Sequence, residues 1–226
     1  IDGGDTFGDT IVIGSSTTAE GPKIAVSGND VHIVWNDGAP FAKYAKSTDG
    51  GVTFTTVDIF TGAQASGQSG EIRWPDVSVS GDTVHMVGVA AYYPSYPNWS
   101  GVHQKSTDGG QTFDLRTVYS GESIAIPSIS HSGDNVYIAW ERQHLTGQDP
   151  PPGSNPDSEP MFVKSTNGGA SFSSQSAILS GGSWVYTGYF DIVSSGGNVH
   201  IVNNSENGFD YWRSTDNGNT FSSVLS

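Results

Sequence analysis

The sequence predicts an all-β fold of about four repeats, each a four-stranded antiparallel sheet. Three observations predict it: an eight-residue motif recurring in phase, a hairpin recurring between its copies, and a composition rich in turn formers. Among 226 residues there are 30 Gly and 11 Pro, and only 14% are charged. A helical chain carries more Ala, Leu, Glu and Lys. The length suits one domain spanning residues 1–226.

The eight-residue motif, called a box below, reads STDGGVTF at 47–54, STDGGQTF at 106–113, STNGGASF at 165–172 and STDNGNTF at 214–221. A headless copy, DGGDTF, stands at 2–7. The closing Phe residues are Phe7, Phe54, Phe113, Phe172 and Phe221, separated by 47, 59, 59 and 49 positions. Such intervals suit one four-stranded propeller blade. Asp or Asn caps the turn by accepting backbone N–H bonds and Gly supplies positive φ, while the terminal Phe is expected to bury its ring between strands. These acids are read as structural.

Between boxes lies a second strand, VHIVW at 31–35, VHMV at 84–87, VYIAW at 136–140 and VHIV at 199–202. Each follows a Gly-containing hairpin turn, SGND at 27–30, SGDT at 80–83, SGDN at 132–135 and SGGN at 195–198. A short apolar strand precedes each turn. One repeat is therefore strand, tight turn, strand, variable loop, strand, box, strand. His32, His85, Tyr137 and His200 occupy one repeated position, which argues for packing rather than metal binding.

This pattern resembles the Asp-box, or BNR, repeats of sialidase-like β-propellers, and the resemblance spans essentially the whole chain. It implies a propeller of about four blades with an Asp box between the third and fourth strands of each. It also implies that the boxes lie on the face away from a sialidase active site.

Function in repeat proteins concentrates where the repeats differ. From the first Val of the second strand to the next box Ser the spacings are 16, 22, 29 and 15, so the connections between strands two and three carry large insertions in blades two and three. From a box Phe to the next such Val they are 24, 30, 23 and 27. Both connections fall on the face opposite the boxes. That face collects the candidate binding residues Arg73, Trp74, Tyr92, Tyr93, Tyr96, Trp99, Glu141, Arg142, Trp184, Tyr186 and Tyr189. Aromatic rings with a few polar groups suit a glycan or a protein ligand. The Pro-rich stretch 150–160 reads as a stiff surface arm, and Asn98 and Asn203 match the glycosylation pattern.

A formal charge of −14 with nine Lys and Arg residues leaves no basic stripe for nucleic acid. The absence of Cys excludes disulfides, thiolate catalysis and cysteine-bound zinc. No secretory leader or membrane-spanning apolar run is visible, and the missing initial Met is expected of a mature or truncated chain. No cofactor, metal site or membrane insertion is expected, and an extracellular or cell-surface location is.

These readings lead to an expected non-catalytic recognition module, with no catalytic residues. One alternative is a structural subunit that self-associates through a surplus N-terminal strand at 10–13, after the headless box. A second is a sialidase-type glycoside hydrolase. The sialidase resemblance implies an Arg triad, a Tyr–Glu nucleophile and an Asp acid–base. Arg73-Trp74-Pro75 looks like the family's Arg-Ile-Pro element, with Glu141 or Glu71 beside Tyr92, Tyr93 or Tyr186 as the carboxylate. Only four Arg are present, and Arg116 and Arg213 belong near the boxes; 88–101 contains no acid, and the family's catalytic propeller has six blades against about four here.

Overall fold

The computed structural model describes residues 8–14, 18–38, 41–61, 69–93, 99–121, 123–143, 158–178, 189–205 and 208–223. Among these there is no helix, and strands account for the regular structure. Blade 1 contains β1 (Glu20–Ser27), β2 (Asp30–Asn36), β3 (Ala42–Ser47) and β4 (Thr55–Ile59). Blade 2 contains β5 (Ser69–Ser80), β6 (Thr83–Tyr93), β7 (Trp99–Ser106) and β8 (Asp114–Gly121). Blade 3 contains β9 (Ser123–Ser132), β10 (Asn135–Gln143), β11 (Ser158–Ser165) and β12 (Ser176–Ala177). Blade 4 contains β13 (Phe190–Ser195), β14 (Asn198–Ser205), β15 (Gly208–Ser214) and β16 (Ser222–Ser223). Each blade is antiparallel with its strands in chain order, so the all-β architecture of four four-stranded sheets is as predicted.

Local chemistry makes the hairpins. Ser27 pairs with Asp30, Ser80 with Thr83, Ser132 with Asn135 and Ser195 with Asn198. The first loop residue is in every case a Gly at positive φ (Gly28, Gly81, Gly133 and Gly196), the requirement of a type II′ turn. Each box then closes the third and fourth strands through a side-chain cage. Ser47 Oγ donates to Asp49 Oδ1 at 2.7 Å and accepts from Gly51 N at 2.8 Å. Asp49 Oδ1 accepts from Val52 N and Thr53 N at 2.9 Å each, and Oδ2 from Thr53 Oγ1 at 2.6 Å. Asp108 and Asp216 repeat the cage with Thr112 and Thr220. In blade 3 the amide of Asn167 accepts from Ser171 N through Oδ1 and donates to Ser171 Oγ through Nδ2. Each box turn also bonds the neighbouring hairpin, as in Gly109 N to Asp82 O at 2.8 Å, so boxes and hairpin turns share one face.

Blades join by a repeated interface. Inner strands β1, β5, β9 and β13 pack in succession, β1 on β5, β5 on β9 and β9 on β13. The box Phe plugs between blades rather than between the strands of its own hairpin, a difference from expectation. Phe113 stands edge-on to Tyr44, Phe172 to His103 and Phe221 to Phe162, with centroids 5.3, 5.2 and 5.0 Å apart. Each of these partner rings belongs to the third strand of the preceding blade. The repeated second-strand position completes the plug: His32 Nδ1 bonds Tyr44 Oη at 2.7 Å, His85 Nδ1 bonds His103 Nε2 at 3.0 Å, and Tyr137 stacks on Phe162. His200 makes the same bond to Tyr211 at 2.7 Å.

The series has two open ends among the described residues, since β13 does not pack on β1 as β9 packs on β13. Ile24, at the position of buried Val77, Ile129 and Ile192, is 65% exposed. Val202, at the position of buried Val34, Val87 and Ala139, is 38% exposed, and Val193 and Phe209 are exposed beside it. The segment expected as a surplus strand at 10–13 pairs with no strand among the described residues: residues 8–14 enter no sheet, Ile11 and Val12 are exposed, and Gly14 lies against the Trp35 ring. The headless box at 2–7 and most of the 150–160 arm lie outside the described residues; Ser158, Glu159 and Pro160 begin β11.

Candidate functional site

On the face opposite the boxes, the inner strands begin with irregularities that occur at matched places. Register shifts fall between Glu20 and Lys23 in β1, and between Arg73 and Asp76 in β5, where Gly21-Pro22 and Trp74-Pro75 are the extra residues. In blade 3 the shift facing β10 between Ala139 and Glu141 accommodates Ile126-Pro127. Gly21, Trp74 and Ile126 all have positive φ, at 60°, 48° and 46°. Gly tolerates this conformation, but in Trp and β-branched Ile it is strained, and such strain concentrates at functional sites.

The bulges bring the strand openings onto one cavity of about 500 Å³. Blade 1 supplies Glu20, Gly21, Lys23 and Asn36, blade 2 Trp74 and Pro75, blade 3 Ile126 and Pro127, and blade 4 Tyr189 and Phe190. The volume lies in the range of small-ligand sites. A second hollow of about 250 Å³ shares Lys23, Tyr189 and Phe190 with it and continues over Asp191, Val202, Asn203, Asn204 and Phe209. Cavity and hollow together form a groove running from the centre onto the open face of blade 4. Tyr189 is 73% and Phe209 77% exposed, so both rings are available to a ligand.

The groove carries two exposed carboxylates, Glu20 and Asp191, with Lys23 lining both of its halves. Asn36 Nδ2 donates to Glu20 Oε1 at 3.3 Å and so orients it. Beneath, Asp76 is buried and accepts from Val77 N at 2.9 Å, Ser128 Oγ at 2.8 Å and Ile129 N at 3.0 Å. Burial raises its pKa, opposed first by the nearby charge of Lys23 and then by these bonds. Asp76, next in sequence to Pro75 of the cavity lining, thus ties blade 2 to blade 3. Among the described residues no three His, Asp or Glu side chains converge as metal ligands.

Of the residues expected at the binding face, Trp74 and Tyr189 line the cavity. Arg73 ion-pairs with Glu71, and its guanidinium lies 5.8 Å from the Trp74 ring and 5.9 Å from that of Trp99. Trp99 is buried in the core cluster that blades 2 and 3 share, with the Trp74 ring 5.9 Å from its own. Glu141 is 2% exposed, within the paired run of β10, and Arg142 ion-pairs with Glu159 across β10 and β11. Asn203 is buried within β14, paired on both sides, a poor place for a glycan. Tyr92 and Tyr93 end β6, but their side chains, with Tyr96, Asn98, Trp184 and Tyr186, lie outside the described residues.

Glu20, Lys23, Asn36, Asp191 and Phe209 were not anticipated. A signal existed for the first two: Gly21-Pro22, Trp74-Pro75 and Ile126-Pro127 repeat in phase within the inner strands of blades 1, 2 and 3. Phe209 had none, because its exposure depends on blade 4 having an open face.

No family model matches the chain, and no curated protein matches it. Solved structures do match in fold. A Hadza microbial sialidase superposes with a TM-score of 0.67 at 12% identity over 93% of this chain and 47% of its own. The Penicillium chrysogenum α-L-arabinanase, solved with arabinobiose, gives 0.64 at 13% identity over 92% and 67%. A GH43 endo-arabinanase from Bacillus licheniformis gives 0.56 at 13% identity over 92% and 76%. The chain spans about half the length of the sialidase. The fold is that of a sialidase-like β-propeller.

The expectation of a non-catalytic recognition module is corrected by these matches. The architecture taken to serve binding alone is the one these enzymes use to cleave glycosidic bonds.

Proposed function

We propose that the chain is a glycoside hydrolase, with its reaction centre in the groove at the mouth of the inner strands and Glu20 and Asp191 as its carboxylate pair. The observation that carries this reading is the convergence of four inner-strand openings on one cavity, two of them strained at Trp74 and Ile126. The shared fold supports it. So do the rings of Trp74 and Tyr189, which offer apolar faces to sugar C–H groups.

Hydrolysis needs two carboxyl groups flanking the scissile bond. One, protonated, gives its proton to the leaving glycosidic oxygen. The other, ionised, either attacks the anomeric carbon or removes a proton from the attacking water. Lys23, which lines both halves of the groove, offsets one negative charge and offers donors to sugar hydroxyls. The four in-phase motifs are read as Asp boxes in the same proposal. An extracellular or cell-surface location belongs to it as well, since polymeric glycans lie outside the cell.

Turnover of aryl glycosides and of reducing-end-labelled oligosaccharides tests the assignment. Glu20→Gln and Asp191→Asn are each expected to lower kcat/KM by about 10²–10⁴. Asp58→Asn, which breaks a surface ion pair with Lys43 elsewhere, is expected to change nothing. Absence of turnover on every glycoside, or full activity in both groove variants, would refute the reading.

A further inference from the structure

The geometry points to an uncharged oligosaccharide, laid along the groove from Trp74 to Phe209, as the substrate class of this site. The inference rests on the hydrolase reading and narrows it.

A sugar acid must be gripped by cations, and this chain has nine Lys and Arg residues to supply them. All nine Lys and Arg residues lie among the described residues, so each can be placed. Lys43 and Lys46 pair with Asp58 and Asp30. Arg73 and Arg142 pair with Glu71 and Glu159. Lys164 Nζ donates to Asn217 O at 3.1 Å in the next box. Lys105 and Arg116 line a small hollow against the box turn of blade 3, and Arg213 adjoins Ser214 of the last box, all on the opposite face. Lys23 alone among the nine lines the groove.

Against that single cation stand Glu20 and Asp191 on the groove wall. A sugar carboxylate placed there brings a like charge beside two others, in a protein already at a formal −14. What the groove does offer is amide groups at Asn36 and Asn204 and ring faces at Trp74, Tyr189 and Phe209. Those are the groups that bind hydroxyls and C–H faces. The groove also extends past the carboxylates, from the central cavity to the exposed Phe209, which favours a chain of sugars over a single residue.

Calorimetry and turnover assays on the purified chain decide the matter, using linear arabino- and xylo-oligosaccharides of two to five units, sialyllactose and oligogalacturonate. A neutral series is expected to bind and to be cleaved at least about 100-fold better than either acidic sugar. Affinity is expected to rise with chain length, and Phe209→Ala to lower affinity for the longest oligomer about 3- to 10-fold while leaving the dimer unchanged. Cleavage of sialyllactose or oligogalacturonate at a comparable rate overturns the inference and leaves the hydrolase reading standing. Neutral oligomers bound but never cleaved, by contrast, refute the hydrolase and uphold the substrate class. No binding by any sugar ends both, and length dependence unchanged in Phe209→Ala removes the extended groove.

Discussion

The phenol of Tyr44 in blade 1 fills the space in which a β-carbon on Gly110 of blade 2 would sit: that carbon would lie 2.1 Å from Tyr44 Oη. The matched Gly169 and Gly218 stand in the same way against His103 and Phe162. These contacts explain how a turn motif made of local hydrogen bonds also dictates how blades stack.

Gly110→Ala is therefore expected to cost more than Gly51→Ala. Both glycines have strongly positive φ, 87° and 90°, so each substitution costs about 1–2 kcal/mol in backbone strain. Gly51 faces no preceding blade and meets nothing closer than 3.9 Å, whereas Gly110 must displace a buried ring, adding about 1–3 kcal/mol. Urea midpoints of the two variants measure the difference, and equal losses would show that the Tyr44 contact contributes nothing.

The open ends make a second comparison. Ile24→Asp places a charge on a surface that is already exposed and should shift stability by no more than about 0.5 kcal/mol. Val77→Asp, at the matched position between blades 1 and 2, buries an unpaired carboxylate and should cost more than about 3 kcal/mol. Thermal unfolding of both variants provides the check. A large loss in Ile24→Asp would mean that blade 1 is covered in solution.

Acid should loosen the interface of blades 2 and 3. His85 packs on His103 and His131, with centroids 5.2 and 4.8 Å away. Burial, then the neighbouring His103, His131 and Lys105, pushes His85 down to about 2; burial, then Arg116 and Lys105, pushes His103 down to about 3. The unfolded chain therefore takes up protons below about 6.5 that the folded chain refuses, so stability rises with pH up to that value and falls below it. The slope approaches 1.4 kcal/mol per pH unit for each such group. Blade 3 uses Tyr137 and Phe162 in the same two places, so H85Y combined with H103F should reduce the slope of stability between pH 4 and 6.5 in denaturant titrations, leaving the share of His32 and His131.

The box carboxylates respond at lower pH. Bonds from the hydroxyl and amide of the Thr immediately before each closing Phe, together with one from the box Ser, hold Asp49, Asp108 and Asp216 well below the usual carboxylate range. Their contribution is complete above about pH 4 and is lost as pH falls through the folded values. Asp108→Asn should be milder than Asp108→Ala, because Asn167 already builds the cage with an amide. Melting temperatures at pH 7 that rank the two in the opposite order would count against the cage as the stabilising element.

How much was legible follows from the range of each interaction. The box cages span four residues and the hairpin turns two, so their residue types could be read directly from the chain. The alternation VHIV likewise foretold a strand packed on both faces. Trp74 and Trp99, by contrast, looked equivalent as candidate ligand contacts, yet one lines a cavity and the other is core. Their rings lie 5.9 Å apart, but Trp74 sits in the positive-φ bulge of β5 and Trp99 in the pairing of β7 with β8, a difference that residue type does not carry.

By itself the sequence determined the repeat unit, its strand order and its turns, because those are decided by backbone geometry and hydrogen bonds between near neighbours. Only the tertiary structure decided that Glu20, Lys23, Trp74, Ile126 and Tyr189 meet at one cavity, and that Phe209 stands at an open blade face. Those groups come from segments as far apart as the two ends of the described chain, and their meeting depends on how each sheet twists onto the next, a sum of many packing contacts that no short stretch encodes.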